Sequence, residues 1–243
     1  MRNPFDARDR MPSRNAPPPS DPALRIPTLT RRPDLPLVLS ITGASSNAGK
    51  TQLMELAIRH FSDRGRPVTA LKVTRTHIGS CPRENDTCTT CDDLVHPFEL
   101  VEDLAQLDVT KKDTGRYVAA GADQVLWLLV QPTRVGLGIA RALDRVDPGH
   151  VLLVEGNSFR DWADAHRTFM TVGRLLRVKP SARMILDRVD AFVAEPATQP
   201  RLTSWLADLD LEDRPVLTPV ELESTFRELP LSPAPSEKKS RPV

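Results

Sequence analysis

The sequence predicts an α/β fold in three layers with a predominantly parallel sheet, and two observations carry most of that expectation. Apolar runs that do not alternate with polar residues recur along the chain: Leu37-Val38-Leu39-Ser40-Ile41, Val125-Leu126-Trp127-Leu128-Leu129-Val130 and Val151-Leu152-Leu153-Val154. Strands of this kind have no solvent face, the pattern of a parallel sheet covered on both sides. Between them lie segments whose apolar residues return at helical spacing. Examples are Leu53, Met54, Ala57, Ile58 and Phe61, and later Val135, Ile139, Ala142 and Leu143. Alternation of the two kinds is the signature of βα units.

A chain of 243 residues suits one such domain with tails. Its net charge of +1 offers no global attraction to nucleic acid or to an anionic membrane. No apolar stretch approaches the roughly 20 residues of a membrane span. Residues 1–30 lack an apolar signal core, so the expectation is a cytoplasmic protein. Residues 1–34, with Pro17-Pro18-Pro19 among Arg, Asp and Ser, hold too few large apolar side chains to fold alone. They read as a disordered leader, and the Pro-, Ser- and Lys-containing stretch 230–243 reads as a disordered tail. The domain is expected over 35–229, with a cysteine-containing insertion at 74–97.

Residues 35–51 organise the rest. The apolar run ending at Thr42 feeds Gly43-Ala44-Ser45-Ser46-Asn47-Ala48-Gly49, and Lys50-Thr51 opens the first helical stripe. Strand, glycine-containing loop and helix in that order form the context of a phosphate-binding loop. Small residues let backbone N–H groups converge on phosphate oxygens, and the helix N-terminus adds partial positive charge. Lys50 would reach the β- and γ-phosphates, and the Thr51 hydroxyl would take one Mg²⁺ position. The spacing is Gly-x5-Gly-Lys-Thr, one residue longer than the usual loop, with Ala44 where the first glycine usually stands. The fold class is therefore a three-layer P-loop NTPase, with GTP or ATP and Mg²⁺ as cofactors.

Taken in order, 63–65 is a turn and 68–73 a second strand. Helices are expected at 97–107 and 113–120, the second ending on Gly121. The strand 124–130, a helix on the Val135 stripe, the Pro148-Gly149 turn and the strand 151–154 follow. Weaker signals place strands at 169–172, 191–194 and 214–217, and helices at 181–189, 201–206 and 219–226. Thr218 is the expected N-cap of the last helix, with Glu221 completing a capping box.

Glu155-Gly156-Asn157 follows a buried strand directly. Ligands of open parallel sheets sit at the carboxyl ends of strands, so Glu155 stands where a carboxylate would hold Mg²⁺ or orient a nucleophile. Asn157 and Ser158 could cap the next helix. Arg160 and Arg167 could meet phosphate or solvent, whereas His60, Trp127, Trp162 and Trp205 read as packing or surface residues. Thr110-Lys111-Lys112-Asp113 superficially matches the guanine-reading signature of GTPases, but it precedes Glu155 instead of following it. Asp113 and Arg116 could form a surface ion pair.

The longer loop resembles that of dethiobiotin synthetase and cobyric acid synthase, P-loop proteins of the SIMIBI class. A more specific resemblance rests on Lys112-Asp113-Thr114-x-Arg116-x3-Ala120-Gly121-Ala122, on Lys72 followed by His77, and on Val154-Glu155-Gly156. In that order, over residues 38–157, they look like molybdopterin-guanine dinucleotide biosynthesis protein B (MobB). The resemblance implies a GTP-binding and hydrolysing accessory protein in cofactor or metal-centre maturation, acting with a partner protein and leaving a homodimer open. It adds Lys72 and Asp113 to the nucleotide-binding residues of the loop, and Lys50, Thr51 and Glu155 as the catalytic set. Two alternatives stay open: an ATP-dependent biosynthetic enzyme similar to dethiobiotin synthetase, and a non-catalytic nucleotide- and metal-binding scaffold.

The chain has three cysteines, all within His77-x3-Cys81-x6-Cys88-x2-Cys91-x4-His96. Two residues between cysteines let both sulfurs turn toward one ion. With His77 as fourth ligand, or His96 in its place, the set would suit tetrahedral Zn²⁺; an iron–sulfur cluster and a Cys88/Cys91 redox pair are the alternatives. Anaerobically purified protein is predicted to carry about one zinc per chain or a small cluster. Elemental analysis with visible absorption distinguishes these, and Cys88→Ser should abolish the uptake. Parental protein that takes up neither zinc nor iron would return the cysteines to an incidental role.

Overall fold

A computed structural model describes residues 34–76, 94, 96–108 and 112–231. His77, Cys81, Cys88 and Cys91, the leader before Asp34 and the tail from residue 232 lie outside the described residues. The first strand, β1 (Leu37–Gly43), is buried along its whole length. It leads through the small-residue loop into α1 (Lys50–Ser62), followed by β2 (Val68–Arg75). Beyond the cysteine segment come β3 (Phe98–Val101), α2 (Leu104–Leu107), α3 (Asp113–Ala119) and β4 (Gln124–Val130). Next are α4 (Val135–Asp144), β5 (Val151–Glu155), β6 (Arg167–Thr171), α5 (Pro180–Arg183), β7 (Ala191–Val193), α6 (Gln199–Ala207), β8 (Val216–Leu217) and α7 (Pro219–Glu228).

The strands form one eight-stranded sheet in the order β3-β4-β2-β5-β1-β6-β7-β8. All neighbours are parallel except β3, which runs antiparallel on the β4 edge. From β1 the chain crosses to β2 and β4 on one side, then returns through β5 to β6, β7 and β8 on the other. The carboxyl end of β1 is thus where the crossovers change direction, the position at which open α/β sheets bind ligands.

Period-2 alternation sends Leu37, Leu39 and Ile41 to one face, where they pack with Leu53, Met54, Ala57, Ile58 and Phe61 of α1, Tyr117 of α3 and Phe226 of α7. Val38 points to the opposite face with Leu71, Leu126 and Leu152, under Val135, Ile139 and Leu143 of α4. A further cluster on β6 and β7 joins Met170 and Phe192 to Ile185 and to Leu202 and Leu206 of α6. Helix, sheet and helix make three layers, as the unalternating strands require. Among the described residues no helix is long and apolar enough to cross a membrane.

Two expectations are corrected. Residues 98–101, read as part of a helix, form a strand because the open edge of β4 accepts their backbone: Phe98 pairs with Val130 and Val101 with Trp127. Alternation then sends Phe98 and Leu100 toward one face and Val101 toward the other. The helix predicted over 181–189 shrinks to α5 and a 3-10 turn at Leu186–Arg188. Its apolar residues Ala182, Ile185, Leu186 and Val189 are spent on covering β6 and β7, and their burial needs no continuous helix. The capping box of α7 forms as expected: Glu221 N donates to Thr218 Oγ1 at 3.2 Å, and Thr218 N donates to Glu221 Oε2 at 2.7 Å.

The turn after β5 depends on one glycine. Gly156 has φ 142°, and a Cβ there would stand 2.8 Å from the Val73 carbonyl oxygen. Gly156→Ala is therefore expected to cost about 2–3 kcal/mol in urea unfolding, since strained backbone of this kind costs that order. A variant as stable as the parent would show that β2 and β5 can separate at this point.

Candidate functional site

The loop between β1 and α1 has the properties of an anion cradle. The backbone N–H groups of Ser45, Ser46, Asn47 and Gly49 make no backbone hydrogen bond among the described residues. Asn47 (φ 57°) and Gly49 (φ 98°) take left-handed conformations that turn the chain back on itself. Gly49 caps α1 without a side-chain hydrogen bond, and no acidic residue stands in the first turn. Helix N-termini ordinarily satisfy their free N–H groups with a capping side chain, water or a ligand; here no side chain does so. The Lys50 side chain folds back over the loop, with its ammonium 3.5 Å from the Ser45 carbonyl oxygen.

The glycine one place early has a structural reason. A Cβ on Gly43 would lie 2.8 Å from Lys50 Cγ and Cδ, so the lysine stem crosses the chain where only a glycine leaves room. Ala44 is fully buried and tied on both sides: its N–H donates to Thr171 O at 2.9 Å, and its carbonyl accepts from Lys179 N at 2.8 Å. Ser46 and Asn47 are exposed at the tip, while Ser45 and Ala48 are half-buried.

Strand register lines up the remaining groups. Across β4, β2, β5 and β1, Trp127, Lys72, Glu155 and Ile41 stand side by side on one row. Glu155 is 5% exposed and points to the face that carries α1 and α3, where the fully buried Tyr117 hydroxyl donates to Glu155 Oε2. Burial above all, and then the charge and hydrogen bond of Glu155, push the Tyr117 phenol well above its ordinary value. The phenol is therefore a fixed donor that orients the carboxylate. Sequence reasoning missed it because Tyr117 looks like one more apolar residue of α3. Asn157, which could cap the next helix by its position in sequence, clamps the end of β1 instead. Its Nδ2 donates to Gly43 O at 3.1 Å, and its Oδ1 accepts from Gly43 N at 3.0 Å.

Asp113, at the start of α3, joins two of the expected nucleotide-binding residues. Its Oδ1 accepts from the Thr51 hydroxyl at 2.9 Å, and its Oδ2 from the Lys72 ammonium. Burial alone would raise the Asp113 carboxyl. The hydrogen bond and charge of Lys72, helped by Thr51 and Arg116, outweigh it and hold the group below the usual carboxylate range. A hydroxyl that gives its proton to a carboxylate keeps its lone pairs for a cation, so this contact presents the Thr51 oxygen in the form that a metal would use. Arg116, which could have paired with Asp113, donates to Glu55 of α1 at 2.7 Å. Asp113 is held at Thr51 and Lys72; Thr110 and Lys111, which precede it in the apparent guanine-reading signature, lie outside the described residues.

Arg160 is turned to the Ala163 carbonyl and Asp164, and Arg167 starts β6 at the end of the strand remote from the loop; neither meets the site. His60 packs edge-on against Phe61 and Phe226, as a core residue. Among the described residues no three His, Cys, Asp or Glu side chains group as a metal cage. Thr51, Asp113 and Glu155 offer hard oxygens of the kind Mg²⁺ accepts, in the small number it takes when phosphate and water fill the rest. Compared with known proteins, the chain matches no family model and no curated protein.

Asp113→Asn is expected to lower stability by about 1–3 kcal/mol, because Lys72 loses the carboxylate that satisfies it. The parental carboxyl is depressed in the folded state, so its contribution is complete above about pH 4 and fades as the pH falls through the lower folded value. Urea midpoints measured across that acidic range should drop more steeply for the parent than for the variant. Parallel curves would mean that Asp113 contributes nothing to α3 docking.

Proposed function

We propose that this chain is a P-loop nucleotide-binding protein that binds and slowly hydrolyses a nucleoside triphosphate, GTP by its resemblance to MobB. By the same resemblance it would act with a partner protein in cofactor or metal-centre maturation. The observation that carries the reading is the uncapped N-terminus of α1: free loop amides, the Lys50 stem across Gly43 and the Thr51 hydroxyl converge there, beside Glu155. Such a set suits phosphate oxygens better than any other common ligand.

In the proposed reaction, loop amides and Lys50 hold the phosphates while water attacks the γ-phosphorus. The bond from that phosphorus to the β–γ bridging oxygen breaks, the diphosphate leaves, and the proton of the water goes to the released phosphate. Thr51 and Glu155 would hold Mg²⁺, with Asp113 orienting the Thr51 hydroxyl, and the ion would supply positive charge to offset that of the phosphates. Tyr117 fixes the Glu155 carboxylate, and Asn157 keeps the end of β1 from moving as the loop fills. This chemistry asks the protein for positioning and electrostatics, with no covalent intermediate. The cysteine segment, whose cysteines lie outside the described residues, would add a zinc or iron–sulfur site.

Thermal shift with GTP, ATP and their diphosphates in Mg²⁺ tests the reading. Ligand at about 100-fold over Kd stabilises by about 2.7 kcal/mol, a clear rise in melting temperature. Lys50→Ala should keep the unliganded melting point and lose the shift. Parental protein unmoved by every nucleotide, or a variant that shifts as the parent does, would refute a phosphate loop here.

A further inference from the structure

The stretch after β6 returns along the phosphate loop and is laced to it. Ala44 N donates to Thr171 O at 2.9 Å and Lys179 N donates to Ala44 O at 2.8 Å. A Cβ on Gly173 would lie 3.7 Å from the Ala48 Cα. Lys179 therefore projects from backbone fixed against the start of the loop. Its side chain is half-buried, with no ion pair or hydrogen bond among the described residues. The charged groups that bear on its ammonium are Lys50, Glu155 and Arg75.

This is an unusual setting for a lysine. Lys72, another half-buried lysine near the site, has a carboxylate partner in Asp113; the charges that bear on Lys179 include the ammonium of Lys50. Burial first, then the charge of Lys50, lowers its pKa, and Glu155 offsets this in part. A partly desolvated cation beside another cation is unfavourable in the empty protein and is relieved when an anion arrives between them.

We propose that Lys179 is a second phosphate-binding cation, contacting the terminal phosphoryl group of the bound nucleoside triphosphate from the β6 side of the loop. The proposal rests on the phosphate-loop reading and goes beyond it by naming the group that distinguishes triphosphate from diphosphate. Lys50 serves the β- and γ-phosphates, and Glu155 belongs to the metal end. With its backbone pinned to Ala44 at the start of the loop, and with Lys50, Glu155 and Arg75 as the charges around it, Lys179 is assigned to the terminal phosphate. There it supplies in cis the positive charge that an arginine finger supplies in other phosphoryl-transfer proteins. Approach from the β6 side also leaves the opposite side of the loop to Thr51, Asp113 and α3.

The test measures binding of GTP, a non-hydrolysable GTP analogue and GDP, or the adenine set where that binds, to the full chain and to Lys179→Gln, Lys179→Arg and Lys50→Ala. Lys179→Gln should lower affinity for the triphosphates by about tenfold or more, as loss of a charge-assisted contact does. Its GDP affinity should change by less than about twofold, and Lys179→Arg should restore the triphosphate preference. The unliganded melting temperature of Lys179→Gln should equal or exceed the parental one, because an unpaired cation has been removed; that also shows the variant folds. Turnover should fall with the triphosphate affinity. If Lys50→Ala loses both nucleotides while Lys179→Gln changes neither, or weakens both equally, the inference about Lys179 is overturned and the phosphate loop stands. A parent that binds neither nucleotide overturns both.

Discussion

Everything at the candidate site depends on one alignment, the parallel pairing of β2, β5 and β1 with their carboxyl ends at a common level. Ile41 stands opposite Glu155, and Glu155 opposite Lys72. Parallel hydrogen bonding propagates this register from the buried interior, where Leu39 meets Leu153 and Ala70 meets the same residue from the other side. A slip by one residue would turn Glu155 to the opposite face and bring apolar side chains out of the core. The register that buries the core is thus the register that delivers a carboxylate beside the loop.

On that platform α3 acts as a clamp. Asp113 and Tyr117 are four residues apart, so one helical face carries both, and each takes a different partner in the row below: Asp113 holds Lys72 and Thr51, Tyr117 holds Glu155. Arg116 adds the bond to Glu55 of α1. These polar contacts lie above an apolar base of Leu53, Ala120 and Val125, which supplies the area-dependent part of the docking. The polar part confers orientation, and it passes through Thr51, the residue that a metal–nucleotide pair would also use. The Thr51 hydroxyl thus ties the start of α1 to α3.

The charges around the loop divide by whether the protein satisfies them. Lys72, Arg116 and Glu55 have partners of opposite charge within the fold. Among the described residues Lys50 has only the 3.5 Å approach to a carbonyl, the amides of 45–47 and 49 have no backbone acceptor, and Lys179 has no partner. Unsatisfied donors of one sign in one place are costly unless an anion completes them. The clamp of Asn157 on both polar groups of Gly43 fixes the end of β1 from which the loop leaves.

Much of this was legible in the amino-acid order. Unalternating runs announce buried parallel strands because a strand with two covered faces has no polar side. The β4 bounds, the α4 stripe and the Thr218–Glu221 cap are set by interactions a few residues long, so local chemistry decides them. Gly43, Lys50, Thr51 and Glu155 stand out because a Gly-x5-Gly-Lys-Thr run between strand and helix, and an acid at a strand end, have fixed neighbours in sequence. What tertiary structure alone decided has partners far away along the chain. Residues 98–101 became a strand because an edge of β4 was free, and 181–189 lost its helix because β6 and β7 required irregular cover. Tyr117, Asn157 and Lys179 have no local signal: each is defined by a group 38 to 135 residues distant, at Glu155, Gly43 and Ala44. Sequence periodicity reports which face a residue takes, whereas the partner it meets there is settled only when the sheet closes its register.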